Sequence, residues 1–168
     1  MRILLLSDTH GHVDDTILRY AQDADEIWHA GDIGTVEVSS ALAAVKPLRA
    51  VYGNIDGREI RMQYPLDDRF SIEGLDVWMT HIGGYPGNYQ PRVRKLLQNN
   101  PPDLFICGHS HILKVMRDQQ FNMLCMNPGA AGVQGSHKMR TMIRFSIEQG
   151  KIVQPEVIEL GLRGSIKI

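Results

Sequence analysis

The sequence is poor in cysteine, has no long apolar run and shows no excess of charge of either sign. Cys107 and Cys125 are its two cysteines, each inside an apolar stretch and neither in a CxxC pair. That excludes a disulfide framework and a zinc knuckle, and predicts two buried free thiols. No run approaches the ~20 apolar residues of a membrane-spanning helix. The opening MRILLLSDTHG places four apolar residues before Ser7 and Asp8, short of the about 7–15 of a signal-peptide core. A reduced cytoplasm is the expected compartment. Eighteen basic against nineteen acidic residues give a formal charge of −1, so charge indicates neither nucleic acid nor an anionic membrane as a partner. Repeats, low-complexity tracts and linker-like stretches are absent as well.

What is present fits an ordinary globular chain. Its 168 residues, 43% apolar and 22% charged, predict one domain over residues 1–168. Folding a chain of this size hides roughly 70% of its surface, enough for a real core. Residues 2–7 (RILLLS), 25–30 (DEIWHA) and 48–52 (LRAVY) read as buried strands. Between them lie a helix capped by Asp14 or Asp15, with Ile17, Leu18 and Ala21 on its apolar face, and an Ala-rich helix over 36–45 that ends before Pro47. This β-α-β-α-β order predicts a parallel sheet with crossover helices. Residues 69–73 and 75–80 flank Gly74 as a hairpin, and 83–87 read as a glycine-rich loop. A helix over 92–98 precedes a buried strand over 103–107, and 113–118, 122–126, 141–147 and 152–158 read as an antiparallel sheet. The expected class is α/β, two packed sheets with helices outside.

The chemistry stands at the ends of the apolar runs. ILLLS leads to Asp8-Thr9-His10, EIWHA to Gly31-Asp32, LRAVY to Gly53-Asn54, LDVWMT to His81, and DLFIC to Gly108-His109-Ser110-His111. In parallel-sheet folds, sites form beyond the carboxyl ends of the strands, so these residues are expected at one edge. In an extended strand end, residues i and i+2 share a side, which would aim Asp8 with His10, and His109 with His111, into one cleft. The glycines before Asp32, Asn54 and His109 permit sharp turns and close approach. Any one of these residues alone would ordinarily be structural; their joint placement points to a site. Four imidazoles, two carboxylates and one amide are too many ligands for one ion and suit two ions sharing a carboxylate. Ligands of this kind favour manganese, iron, zinc or nickel.

In residue type, order and glycine placement, Asp8-x-His10, Gly31-Asp32, Gly53-Asn54, His81 and Gly108-His109-x-His111 resemble the calcineurin-like metallophosphoesterases. Asn127-Pro128-Gly129 resembles a feature of the family's small bacterial and archaeal phosphodiesterase branch. The resemblance implies a two-sheet β-sandwich flanked by helices on both faces. It implies two divalent cations, manganese first, with zinc, iron or nickel as alternatives. Asp8, His10, Asp32 and His111 would hold the first; Asp32 would bridge to the second, held also by Asn54, His81 and His109. Such ions, about 3.5–4 Å apart, acidify a shared water, and the resulting hydroxide attacks phosphorus in line with the leaving oxygen. Asp32, Asn54 and His81 would act through that hydroxide on a small phosphodiester. The alternatives are a non-catalytic protein-binding scaffold of the same fold and a phosphomonoesterase. Many relatives carry histidine after the metal-binding asparagine; Ile55 stands there in this chain and cannot donate a proton, although Asp56 matches the acidic residue that follows. That favours diesters with good leaving groups over monoesters.

Further expectations attach to single residues. His12 and Asp56 are candidate neighbours of the ligands or of substrate, and His29 is expected behind the ligands or in the core. His137, and Arg58 and Arg61, read as solvated, with a smaller chance of touching substrate anions. The apolar residues Leu160, Leu162, Ile166 and Ile168 suggest a homo-oligomer, because uncovered strand edges tend to be paired.

Overall fold

A computed structural model gives the fold and describes residues 1–164. The chain runs β1 (Arg2–Leu6), α1 (Asp15–Gln22), β2 (Glu26–His29), α2 (Val36–Val45), β3 (Leu48–Ala50) and α3 (Arg58–Gln63). It continues through β4 (Asp67–Ile72), β5 (Leu75–Thr80), β6 (Gly84–Tyr85), β7 (Asn88–Tyr89), α4 (Pro91–Asn99) and β8 (Leu104–Ile106). The last strands are β9 (Leu113–Asp118), β10 (Met123–Pro128), β11 (Met139–Glu148) and β12 (Lys151–Leu162).

Two five-stranded sheets form, in the orders β12-β11-β1-β2-β3 and β4-β5-β8-β10-β9. In the first, β1, β2 and β3 are parallel and β11 and β12 join antiparallel; in the second, β5, β8 and β10 are parallel, with β4 and β9 antiparallel at the edges. The centre of each sheet is buried on both faces, which is why β1 is apolar at every position from Ile3 to Leu6. Ile3 and Leu5 point between the sheets onto Val77, Met79, Leu104 and Ile106. Leu4 and Leu6 point the other way, onto Ile17 and Ala21 of α1 and Val38 and Leu42 of α2. On the outer face of the second sheet, Val93 and Leu97 of α4 cover Trp78, Phe105, Cys107 and Cys125. Each such side chain contributes about 1.5–3 kcal/mol by leaving water, and Leu5→Ala would cost about 2–5 kcal/mol.

Caps start the helices where the sequence suggests. The Asp14 carboxylate accepts from Ile17 N at 3.0 Å, and Gln90 Oε1 accepts from Arg92 N at 2.9 Å, with Pro91 opening α4. The hairpin turn Glu73-Gly74 has φ of 50° and 82°, the positive pair that a type I′ turn requires.

The structure departs from the sequence reading in three places. The four late strands do not form one antiparallel sheet: β9 and β10 complete the second sheet, while β11 and β12 complete the first. Period-2 patterning identifies a strand but not its partner, and β10 pairs parallel with β8 because it too is covered on both faces. The glycine-rich loop contains a small hairpin, β6-β7, and α3 goes unannounced in the sequence because six residues are too few for a periodic signal. Of the apolar tail, Leu160 is half-buried and Leu162 is exposed. Leu160 packs on the α1–α2 side of the first sheet and Leu162 is in register with Met139. Ile166 and Ile168 lie outside the described residues.

Candidate metal centre

The loops after β1, β2, β5 and β8 are woven together by backbone hydrogen bonds. Asp8 N donates to Gly31 O (2.9 Å), His10 N to Asp32 O (3.0 Å), Gly108 N to His81 O (3.0 Å) and Gly132 N to Asp8 O (3.1 Å). The strand ends are not extended, as the i, i+2 reading assumed. Asp8, His10, Asp32, His109 and His111 have φ of 54°, 48°, 53°, 68° and 58°. Left-handed backbone costs about 1–2 kcal/mol per L-residue, least for Asp and Asn, and the surrounding weave holds it. So the paired side chains converge because the backbone curls. Two glycines make the convergence possible by size alone. A Cβ on Gly53 would fall on the Asp32 carboxylate, and one on Gly108 would strike Ser7 Oγ and Asp8.

Six of the seven expected ligands meet in two adjoining groups: Asp8, His10 and His111, and Asp32, His81 and His109. Within each group the ligand atoms all lie within 4.8 Å of one another. In the first, Asp8 Oδ1 is 3.1 Å from His111 Nε2, and His10 Nε2 is 3.1 Å from His111 Nε2. In the second, His81 Nε2 is 3.2 Å from Asp32 Oδ1. Asp32 faces both groups, because its Oδ2 lies 3.7 Å from His10 Nε2. Asn54, the seventh, is exposed on the loop after β3; the next residue, Ile55, donates its N–H to Asp32 Oδ1 at 3.1 Å.

Among the described residues, two buried side-chain atoms lack hydrogen-bond partners, Asp8 Oδ1 and His81 Nε2. An unpaired buried polar atom costs about 1–3 kcal/mol, and more when charged. Both sit among other ligand atoms, and a divalent cation would satisfy them, so the residues fit a metal. The proton balance agrees. Burial works against charge on His81, but the Asp32 and Asp8 carboxylates and the Ala30 carbonyl outweigh it, and its affinity for a proton is raised. Burial also works against charge on Asp32, yet His81, the Ile55 N–H and His10 hold its carboxyl below the usual range. A cation would replace the proton held among these groups.

A second layer aims the ligands. His81 Nδ1 donates to Ala30 O at 2.7 Å, which leaves the Nε2 lone pair for the centre. His137 Nε2 donates to Gly132 O at 3.1 Å, so its Nδ1 can accept from His111 Nδ1 at 3.2 Å, and His111 likewise presents Nε2. His137 is therefore not a solvated loop residue; nothing in its sequence neighbourhood pairs it with His111. Asp56 accepts three backbone N–H groups, from Ile33 (3.1 Å), Gly34 (2.7 Å) and Gly53 (2.7 Å), and so clamps the Asp32 loop to the Asn54 loop. Asn127 does the same for the loop of His109 and His111, donating to Gly108 O at 2.8 Å and accepting from Gly129 N at 3.0 Å. His29 is fully buried, as expected: Gly31 N donates to its Nδ1 and its Nε2 donates to Thr9 Oγ1 at 2.8 Å. That pattern needs a neutral ring, and burial pulls its pKa down to about 4. His12 is held by Asp14, with Nε2 3.2 Å from Oδ2. The thiols of Cys107 and Cys125 are pushed up to about 12 and about 11 by burial and stay protonated.

Residues 1–150 match the calcineurin-like phosphoesterase superfamily domain. The chain belongs to that superfamily. It is 29% identical to a probable metallophosphoesterase of Methanothermobacter thermautotrophicus over 140 residues, 79% of this chain and 78% of that protein. An archaeal phosphodiesterase of known structure shares 22% identity and superposes with a TM-score of 0.71, covering 95% of this chain and 100% of that one. Vps29 of Entamoeba histolytica, solved with zinc, shares 15% identity at a TM-score of 0.71, covering 95% and 99%. At these identities the two structures attest the fold: two mixed sheets with flanking helices, as in this chain. The superfamily and the curated relative give the class of chemistry, metal-dependent hydrolysis of phosphoric esters. No helix among the described residues is long and apolar enough to cross a membrane.

Proposed function

We propose that this protein is a dinuclear metal-dependent phosphodiesterase, with manganese as the first candidate metal. One observation carries the reading: two ligand groups adjoin, and the Asp32 carboxylate turns one oxygen toward each. Asp8, His10, Asp32 and His111 would hold one divalent cation, and Asp32, Asn54, His81 and His109 the other. When bound, such a pair supplies positive charge for the phosphate oxygens and a water acidified toward neutral pH. The chain's own residues keep the ligands aimed: Ala30 O fixes the His81 tautomer, His137 that of His111, and the Asp56 clamp sets the spacing of the Asp32 and Asn54 loops. Ile55, 46% exposed beside the ligands, brings no proton for a departing oxygen. The leaving group must therefore be acidic in its own right, which suits aryl and other activated diesters. A scaffold of the same fold would need neither the intact ligand set nor its second layer.

The deciding experiment is hydrolysis of matched activated aryl diesters and monoesters with each divalent metal in turn. Diesters should be cleaved faster, and Ile55→His should narrow the gap by up to about 10²-fold. A wild type that prefers unactivated alkyl monoesters would overturn diester preference; no hydrolysis of any ester with any metal would favour the scaffold. Elemental analysis approaching one ion per chain, unaffected by substitution at Asn54 and His81, would overturn the dinuclear centre.

A further inference from the structure

A cavity of about 280 Å³ lies beside the second ligand group, since Asn54 and His81 both line it. At that size it accepts one substituent of a ligand; sites for whole small molecules run about 300–1,000 Å³. A larger hollow of about 460 Å³ lies at the opposite end of β1, near Arg2, and none of the expected ligands lines it.

The walls of the smaller cavity are selective. Tyr52, Leu66 and Ile82 give apolar surface, while Arg61, Gln90 and Arg92 give donors. Arg92 is neutralised: its two terminal nitrogens meet both Asp67 oxygens at 2.6 and 3.2 Å. Gln90 spends its side-chain oxygen on capping α4, and its amide nitrogen has no partner among the described residues. Arg61 differs from Arg92. Nε donates to Asp56 O at 2.6 Å, and Nη2 to Asn54 O at 3.2 Å and Gly53 O at 3.4 Å, all neutral carbonyls. The guanidinium lies 4.7 Å over the Tyr52 ring. Among the described residues no carboxylate comes within ion-pair distance of it, and Nη1 has no partner. So, among the described residues, the cavity holds one cation without an ion-pair partner, mounted on α3 and tied to carbonyls of the Asn54 loop. Arg61 is exposed, as expected from sequence, yet its guanidinium is held by loop carbonyls.

We propose that this cavity is the subsite for the part of the ester beyond the scissile phosphorus, and that Arg61 selects esters bearing a second oxyanion there, a carboxylate or a phosphate. The proposal rests on the phosphodiesterase reading. Tyr52, Leu66 and Ile82 would take the body of the group, and the guanidinium its oxygens, for which its planar fork is suited.

Diarylphosphinates test this, because they carry the single charge of a diester and their phosphorus–carbon bonds cannot be hydrolysed. Calorimetric titration of the manganese-loaded protein compares diphenylphosphinate with analogues bearing a carboxylate or a phosphonate on one ring. The wild type should prefer a charged analogue by about 10-fold; whichever of the two gains more identifies the oxyanion. Arg61→Gln should bring the ratio near one, Arg61→Glu below one, and Arg61→Lys should keep part of it. A purely structural Arg61 would change all affinities together and leave the ratio intact. A wild-type ratio near one, a ratio untouched by Arg61→Gln, or no binding by any phosphinate would overturn the subsite. A protein that keeps the preference yet hydrolyses no diester would overturn the phosphodiesterase reading and leave the subsite standing.

Discussion

The two ligand groups differ in how they are braced. Asp8, His10 and His111 depend on a distant residue: His137 orients His111 from a loop 26 positions further along the chain. Asp32 and the Asn54 loop depend on a buried carboxylate instead of a ring, because Asp56 accepts the backbone N–H groups of residues 33, 34 and 53. The groups also differ in access. His109 of the second group is exposed while Asp32 and His81 are buried, and Asn54, on the loop after β3, is exposed as well, whereas Asp8, His10 and His111 of the first are buried or half-buried. On the proposed reading, substrate would enter beside the second group, where the cavity is lined by Asn54 and His81.

Asp32 faces both groups, so its substitution tests whether they form one centre. Asp32→Asn should lower kcat/KM by more than about 100-fold, beyond the 10–100-fold typical of losing an outer partner, and should weaken metal binding at both groups. A loss confined to one group, read by metal titration, would separate them. Next in size is Asp56→Ala. It strands three N–H groups, at least two of them buried, and should cost about 3 kcal/mol or more in denaturant unfolding; metal should be lost first from the second group. A near-neutral Asp56→Ala would mean that the clamp is unimportant.

His29 links both groups, through Thr9 on one loop and Gly31 on the other. Its pKa is about 4 in the folded chain and near 6.5 unfolded. Between those values the unfolded chain takes up a proton that the folded chain refuses. Its stabilising contribution is therefore complete above pH 6.5 and is lost as pH falls toward 4, by about 3 kcal/mol. Melting temperature against pH should show this slope, and His29→Gln should flatten it. The smallest effect belongs to His137→Ala: a 10–100-fold weaker affinity at the first group with the second untouched. Equal weakening at both groups would show that the loop braces the whole edge.

Much of the fold was legible because its causes are local. RILLLS reads as a strand covered on both faces because every inner position is apolar, and Asp14, one of two capping candidates, marks the start of α1 through the chemistry of its own side chain. The ligand types were legible for the same reason, since each stands where an apolar run stops. What lay beyond reach depended on partners distant in the chain. No pattern within β10 says that it pairs with β8, and no residue beside His137 says that it faces His111.

Apart from α3 and the β6-β7 hairpin, the elements, the metal-binding residue types and the end of the sheets at which they gather follow from local sequence, because strand patterning and Gly-ligand steps act over a few residues. Folding in three dimensions sets the left-handed curl of five ligands, the facing of Asp32 toward both groups and, among the described residues, the lack of a carboxylate within ion-pair distance of Arg61. Each of these is a distance or a dihedral imposed by several loops at once, and the backbone bonds that impose it join residues up to 124 positions apart, as Gly132 N to Asp8 O does.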